Sequence, residues 1–194
     1  MRKTAITIIF AAFLAAIPCL AEETTFVLDP AQSRVDFTLG DLLHTVHGVF
    51  KLKTGTLRFD TATGVAGGEL VVDASSGDSG SKSRDKKMKK DILETQKFPD
   101  IVFHPQRVKG VVPSSGASQV ELDGIMTLHG EDHPMSLTVP LNVSGSSAAA
   151  EVRFVVPYVK WGLKNPSTFI LRVSDKVDID VHAVGQFTSV SARK

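Results

Sequence analysis

Histidine and cysteine are the side chains best equipped to hold a metal, move protons or attack a carbonyl near neutral pH, and this chain has six of the first and one of the second. His44 and His47 stand three apart, which on a strand points them to opposite faces, so they share a metal only if Leu42 to Gly48 is a loop. His129 and His133 bracket Gly130-Glu131-Asp132 and can approach across a turn, although a turn histidine is by default a solvated side chain. No His-Glu-x-x-His helix, Gly-x-Ser-x-Gly elbow, dinucleotide-binding glycine fingerprint or phosphate loop occurs. The expectation is a protein with no catalytic residues and no metal site, a histidine-held metal being the weakest of the alternatives.

Cys19 is the only cysteine, and it falls inside what reads as an export leader. Arg2 and Lys3 form a positive n-region, and Ala5 to Ile17 is an apolar run of about a dozen residues, too short to span a bilayer and right for a signal h-region. Pro18 breaks the run, and Cys19-Leu20-Ala21 sets small residues where signal peptidase reads, which places cleavage after Ala21. The other reading, Cys19 as the lipidated first residue of a lipoprotein, is poorly served by Ala16-Ile17-Pro18 ahead of it. Residues 1–21 are thus expected to be a signal peptide and 22–194 one periplasmic or secreted domain, without disulfides or thiolate chemistry. Losing Arg2 and Lys3 turns the formal charge of +1 (22 basic, 21 acidic) into −1 (20 basic, 21 acidic), a balance that asks for no nucleic acid.

Alternation at period two dominates the rest of the chain and predicts half-buried strands. Val35, Phe37 and Leu39 alternate with Arg34, Asp36 and Thr38; Leu57 and Phe59 with Thr56 and Arg58. The series Met135, Leu137, Val139, Leu141, Val143 is the longest, followed by Val152, Phe154, Val156 and by Val177, Ile179, Val181. Turn residues separate these runs at Lys53-Thr54-Gly55, Thr63-Gly64 with Gly67-Gly68, Pro113-Ser114-Ser115-Gly116, His129-Gly130-Glu131-Asp132 and Ser144-Gly145-Ser146-Ser147. Short links imply antiparallel pairing, and about eight or nine strands follow.

One segment departs from the pattern. Ser81 to Glu94 is rich in helix formers, with Ser81 or Ser83 available as an N-cap and Met88 and Ile92 on one face beside Leu93. The helix must stop before Phe98-Pro99. The Gly/Ser-rich Ser75 to Ser81 reads as a flexible lead-in. Lys82, Arg84, Lys86, Lys87, Lys89 and Lys90 make the helix strongly basic, either as a solvated face or as a collar for an anionic head group or a membrane surface.

A closed barrel of about eight strands encloses a lumen that fills with its own side chains or holds one small ligand, whereas a two-sheet sandwich would turn the same alternation into a solid core. Periodicity alone leaves both open.

Four stretches add a likeness. Leu28-Asp29-Pro30 with Ser33 to Phe37, Ser83-Arg84-Asp85 leading through Asp91-Ile92-Leu93 to Lys97-Phe98-Pro99-Asp100-Ile101-Val102-Phe103, Asp123 to Gly130 with Pro134, and Ser174 to Ile179 occur in this order. With them the chain resembles, from about Val27 to Ala183, the bacterial YceI-like family of lipocalin-like, polyisoprenoid-binding exported proteins. Gln32 stands where that family often has His, and Lys86-Lys87 where a polar or His residue often follows its Arg-Asp pair. The resemblance implies an all-β, antiparallel lipocalin-like barrel with one short inserted helix. It also implies a carrier or store that buries an isoprenoid, isoprenoid quinone or fatty acid, with no obligatory cofactor and no enzymatic activity. Strand parity places Val35, Phe37, Leu57, Phe59, Ile101, Phe103, Leu137 and Val139 on the ligand side, and Arg84 is the expected polar anchor, a structural pairing with Asp85 or a strand carboxylate being the competing role. The partners expected are the apolar lipid and, through helix 82–90, a transient membrane surface. The rival is a ligand-free β-sandwich acting as an interaction or stress module.

Overall fold

The structure, a computed structural model, describes residues 23–40, 45–168 and 172–189. The expected leader, with Cys19, and His44 lie outside the described residues.

Nine strands form in chain order: β1 Glu23–Leu28, β2 Arg34–Gly40, β3 Thr45–Asp60, β4 Ala66–Asp78, β5 Asp100–Lys109, β6 Gly116–Leu128, β7 Glu131–Ser144, β8 Ser147–Val156 and β9 Val177–Ser189. All pairings are antiparallel. β3 to β9 follow one another round the sheet as an up-and-down meander, and β1 and β2 close it between β3 and β9. The sheet is a single closed barrel, so the two-sheet sandwich is not the architecture.

The nine strands occupy eight positions because β1 and β2 are two halves of one stave. β1 pairs with the last part of β3 (Glu23 opposite Asp60) and β2 with its first part (Val35 opposite Phe50), while both pair with β9 on the other side. Between them Pro30 has no amide hydrogen for a ladder. Asp29 folds the gap by accepting the Ala31 amide at 2.9 Å and the Gln32 side-chain amide at 2.6 Å. The Ser33 hydroxyl then bridges the Val184 backbone, donating to its carbonyl at 3.2 Å and accepting its amide at 3.1 Å.

The helix is shorter and less regular than expected. It is α-helical over α1, Lys82–Lys87, and widens into a π-type turn over Met88–Ile92. Ser81 stands at the N-cap position but its side chain makes no capping bond. Glu94, at φ 47°, ends it in the left-handed region. Several local assignments also give way. Lys53-Thr54-Gly55 is a bulge inside the uninterrupted β3, Gly67-Gly68 lies within β4, Glu131-Asp132 opens β7, and Ser75 to Asp78 is the end of β4, not a flexible lead-in.

Strand directions gather α1, the β6–β7 turn and the long β8–β9 connection at one end of the barrel, and the short β3–β4, β5–β6 and β7–β8 turns at the other. The β6–β7 link is a two-residue turn, His129-Gly130, with φ of 55° and 80°, the backbone twist a tight hairpin requires. The β8–β9 connection folds inward: Tyr158 and Leu163 are buried, the Tyr158 hydroxyl donates to the Ser174 carbonyl at 2.6 Å, and the Ser174 amide bonds to the Gly40 carbonyl of β2 at 2.9 Å.

Candidate functional site

Inward side chains ring the barrel axis but do not fill it. No large side chain among the described residues is fully buried, and Leu70, Ile101, Leu122, Val139, Phe154 and Val181 are only partly buried although they point away from bulk solvent. A solid core at ordinary packing density would bury them. What they face is a cavity of about 680 Å³ running the length of the barrel.

Three zones line it. At the short-turn end, Phe59, Val108 and Val120 form a buried cluster with Val112, Leu141 and Phe187 packed against it, and the rings of Phe26 and Phe187 lie 4.9 Å apart. The middle is aliphatic, with Leu28, Leu52, Leu70, Leu122, Leu137 and Ala150. At the helix end Leu39, Met88, Ile92, Leu93 and Leu163 continue the apolar wall, and here Ser79, Ser81, Ser83, Arg84, Lys87 and Thr168 also border the space. The remaining polar lining is Ser33, whose hydroxyl is tied to Val184, and, at the helix end, Tyr158, tied to Ser174.

All nine residues singled out from the sequence border this cavity: Val35 and Phe37 from β2, Leu57 and Phe59 from β3, Ile101 and Phe103 from β5, Leu137 and Val139 from β7, and Arg84 from α1. The sequence reading missed Val46, Phe50, Leu52 and Val108 because two strands change parity. In β3 the inward set is even-numbered up to Leu52 and odd-numbered from Leu57, and the register shift between Leu52 and Thr54 is the switch. In β5 a shift between Pro105 and Arg107 does the same between Phe103 and Val108. The legible signal was the odd spacing from Leu52 to Leu57 beside Gly55.

The helix-end polar groups are organised around Ser79. Arg84 donates from Nε to the Ser79 hydroxyl at 2.8 Å and from Nη2 to the Ser79 carbonyl at 2.8 Å. The Ser79 hydroxyl and amide in turn donate to Asp85 Oδ1, at 2.5 and 2.9 Å. Desolvation raises the Asp85 carboxyl, but the Ser79 bonds, with Lys89 and Arg84 nearby, outweigh it and hold its pKa below the ordinary 3.8. The competing role foreseen for Arg84 is therefore present in part: it is held through Ser79, which bridges it to Asp85, while its side chain still borders the cavity mouth.

The described histidines do not converge. His129 packs on Phe98 with ring centres 4.4 Å apart, its Nε2 3.7 Å from Glu94 Oε1. His133 stacks on Trp161 at 4.0 Å, the planes 3° from parallel. His47, in β3, meets the Thr38 hydroxyl at 3.1 Å. Among the described residues no three His, Cys, Asp or Glu side chains gather as a metal site.

Comparison with known proteins agrees with the barrel. An UPF0312 protein of Vibrio cholerae serotype O1 is 26% identical over 191 residues, covering 95% of this chain and 98% of that protein. An UPF0312 protein of Pseudomonas fluorescens is 26% identical over 196 residues, covering 95% of this chain and 97% of its own. Among solved structures, Burkholderia cenocepacia BcnA superposes with a TM-score of 0.67 at 18% identity, covering 81% of this chain and 98% of its own. A polyisoprenoid-binding domain from Saccharophagus degradans, described as implicated in plant cell wall breakdown, superposes at 0.62 with 14% identity, covering 83% of this chain and 97% of its own. The model of the YceI-like domain matches residues 26–185, almost the whole barrel from β1 into β9. With that span matched, the chain belongs to the YceI-like family.

Proposed function

We propose that this protein binds one long apolar lipid, an isoprenoid, isoprenoid quinone or fatty acid, inside the barrel, and acts as its carrier or store outside the cytoplasm. One observation carries the reading: a continuous apolar cavity of about 680 Å³ whose charged lining is confined to the helix end. Each methylene moved from water into such a space contributes about 0.8 kcal/mol, so a chain of ten carbons supports tight binding even after ordering costs are subtracted. The polyisoprenoid-binding domain of Saccharophagus degradans, a barrel of the same shape, supports the ligand class. The arrangement offers burial of apolar surface, and binding, not catalysis, is the proposed activity.

Export rests on the leader-like residues 1–21, with the mature domain periplasmic or secreted. Membrane contact rests on charge. From Ser79 to Pro99 there are seven basic residues against three acidic ones, in a chain that is nearly neutral as a whole, and two of the seven, Arg84 and Lys87, border the cavity. That end is suited to meet an anionic bilayer with the lumen facing it.

The decisive experiment is mass spectrometry of organic extracts from protein purified out of its native host. A reproducible, stoichiometric lipid supports the carrier. An empty protein that takes up no fluorescent fatty or isoprenoid probe overturns it.

A further inference from the structure

One seam of the barrel wall is laddered over only part of its length. β7 and β8 pair from Leu141 opposite Ala150 to Ser144 opposite Ser147, at the short-turn end. Towards the helix end both strands run on, β7 back to Glu131 and β8 forward to Val156, but there β7 is laddered to β6 alone and β8 to β9 alone. Two prolines account for the split. A proline inside a strand is tolerated where its nitrogen faces away from a ladder, and Pro134 and Pro140 share one parity, so both leave the β8 side of β7 short of donors. The β4–β5 ladder is also short, but it is pinned beyond each end, by the Ala74 amide on the Pro99 carbonyl at 3.0 Å and the Val108 amide on the Gly64 carbonyl at 2.8 Å. Between β7 and β8 no such backbone pin occurs among the described residues.

We propose that this unladdered stretch is a side door, through which the hydrocarbon chain of a lipid passes between the lumen and the outside. The proposal rests on the lipid-binding reading above and adds a route to it. Side chains alone close the wall there: Leu137 and Val139 on one lip, Val152 and Phe154 on the other, all bordering the cavity. Charge is kept off both lips. The outward residues of β7 beside the door, Ser136, Thr138 and Pro140, are uncharged, while on β8 Arg153 is turned onto Asp180 and Glu151 onto His182, 2.6 and 2.5 Å away on β9. An apolar chain crossing between the lips therefore strips no ion of its water. Residues 157–163 cover the helix-end part of the door, reaching from the end of β8 to β7, where Trp161 stacks on His133 at 4.0 Å. This latch is easily released: it is a ring stack, and it leaves His133 Nε2 buried without a hydrogen-bond partner, a cost that opening to water removes. A chain then slides in sideways along its length while its head stays beside Ser79 and Arg84.

The test uses delipidated mature protein, a reducible bifunctional thiosulfonate that joins two cysteines, and the loading rate of a fluorescent fatty acid as readout. Cys19 is the only native cysteine and lies within the expected leader, so introduced thiols are the sole targets. Thr138→Cys with Arg153→Cys bridges the door, since continuing the register from Leu141 and Ala150 sets the two opposite each other. Arg153→Cys with Asp180→Cys bridges the laddered β8–β9 seam as the control. Cross-linking the first pair should slow loading by about tenfold or more and reductant should restore it, with equilibrium affinity held within about twofold, because a route alters rates and not the depth of the site. The control cross-link should leave the rate unchanged. Trp161→Ala, which removes the latch, should speed loading and release by about threefold or more. Circular dichroism establishes that each variant is folded, and if the double variant fails to fold, Trp161→Ala decides. A cross-linked door that loads at the parent rate, a control slowed as much as the door, or, in place of these, unchanged rates in Trp161→Ala, overturns the side door and leaves the lipid-binding reading standing. A parent protein that takes up no fatty acid removes both.

Discussion

Phe103 lies across Gly124 on the neighbouring strand, so closely that a Cβ on Gly124 would stand 2.4 Å from the Phe103 ring and 2.5 Å from the His104 carbonyl. Both positions face the lumen, and the missing side chain is what lets the ring lie against the wall instead of across the passage. Gly124→Ala cannot be absorbed by the ring alone, because the backbone carbonyl is equally close. The expected result is a loss of about 1–3 kcal/mol in urea unfolding, together with reduced lipid uptake as Phe103 is pushed inward. Unchanged stability and uptake would mean the ring has room that the geometry denies it.

Val139 is the position from which to fill the lumen. It lines the cavity midway, packed on the clusters of both halves. Val139→Trp should leave the melting temperature close to that of the parent, since the indole enters open space, and cut bound lipid by about fivefold or more. In a solid core the same change would overpack and cost about 1–3 kcal/mol.

Arg84 borders the mouth while its guanidinium is held by Ser79. Arg84→Ala should weaken a phosphorylated isoprenoid by about five- to tenfold, a charge-assisted bond discounted for exposure, and its neutral quinone counterpart far less. Titration of both ligands against both proteins measures the difference. Equal loss would assign the side chain to the Ser79 turn alone.

Asp60 links the barrel to pH. The Thr63 amide and then the Thr63 hydroxyl, joined by the Ala62 amide, bond its carboxylate and hold its pKa below the ordinary 3.8, against a small opposing desolvation. A depressed folded value means the contribution is complete above about pH 4 and is lost as pH falls through the folded value. Asp29 and Asp123 are lowered in the same direction. Thermal melts should be level from pH 7 to about 5 and fall below about 4, and Asp60→Asn should flatten that fall. An identical acid profile in the variant would remove Asp60 from the account.

The basic end should bind anionic vesicles in a salt-dependent way. The triple variant Lys86→Glu, Lys89→Glu, Lys90→Glu should lower partitioning onto phosphatidylglycerol vesicles by more than about tenfold, at roughly 1 kcal/mol per lysine near a surface. Raising ionic strength should weaken the parent in the same assay. Partitioning that ignores both changes would point to a solvated helix face.

Much of the fold was readable because one face of each strand must be covered, and a period of two records which. The long series from Met135 to Val143 and the helix interruption before Phe98-Pro99 are cases in point. Legibility failed where backbone irregularity carried the information. Lys53-Thr54-Gly55 has the composition of a turn, yet tertiary pairing with β4 keeps β3 extended and spends the extra residue on a bulge. Gly124 was legible only as part of the Asp123 to Gly130 likeness, whereas the physical reason for it is a ring arriving from β5. The lumen itself was beyond periodicity, since a hollow and a filled barrel alternate alike, and only side-chain sizes summed round the wall decide between them.

The divided first stave has a consequence for assembly. Thr24 lies opposite Phe59 on one side and Ser189 on the other, so the earliest and latest segments must meet before the hoop is complete. The seams from β3 round to β9 join neighbours in sequence and can form as the chain emerges; the seam of β1 and β2 with β9 spans nearly the entire polypeptide and bears the largest loop-closure entropy. Until it is sewn the structure is a curled ribbon with a greasy inner side and two raw edges, unable to retain a guest. The vessel comes into existence all at once, on arrival of its final strand.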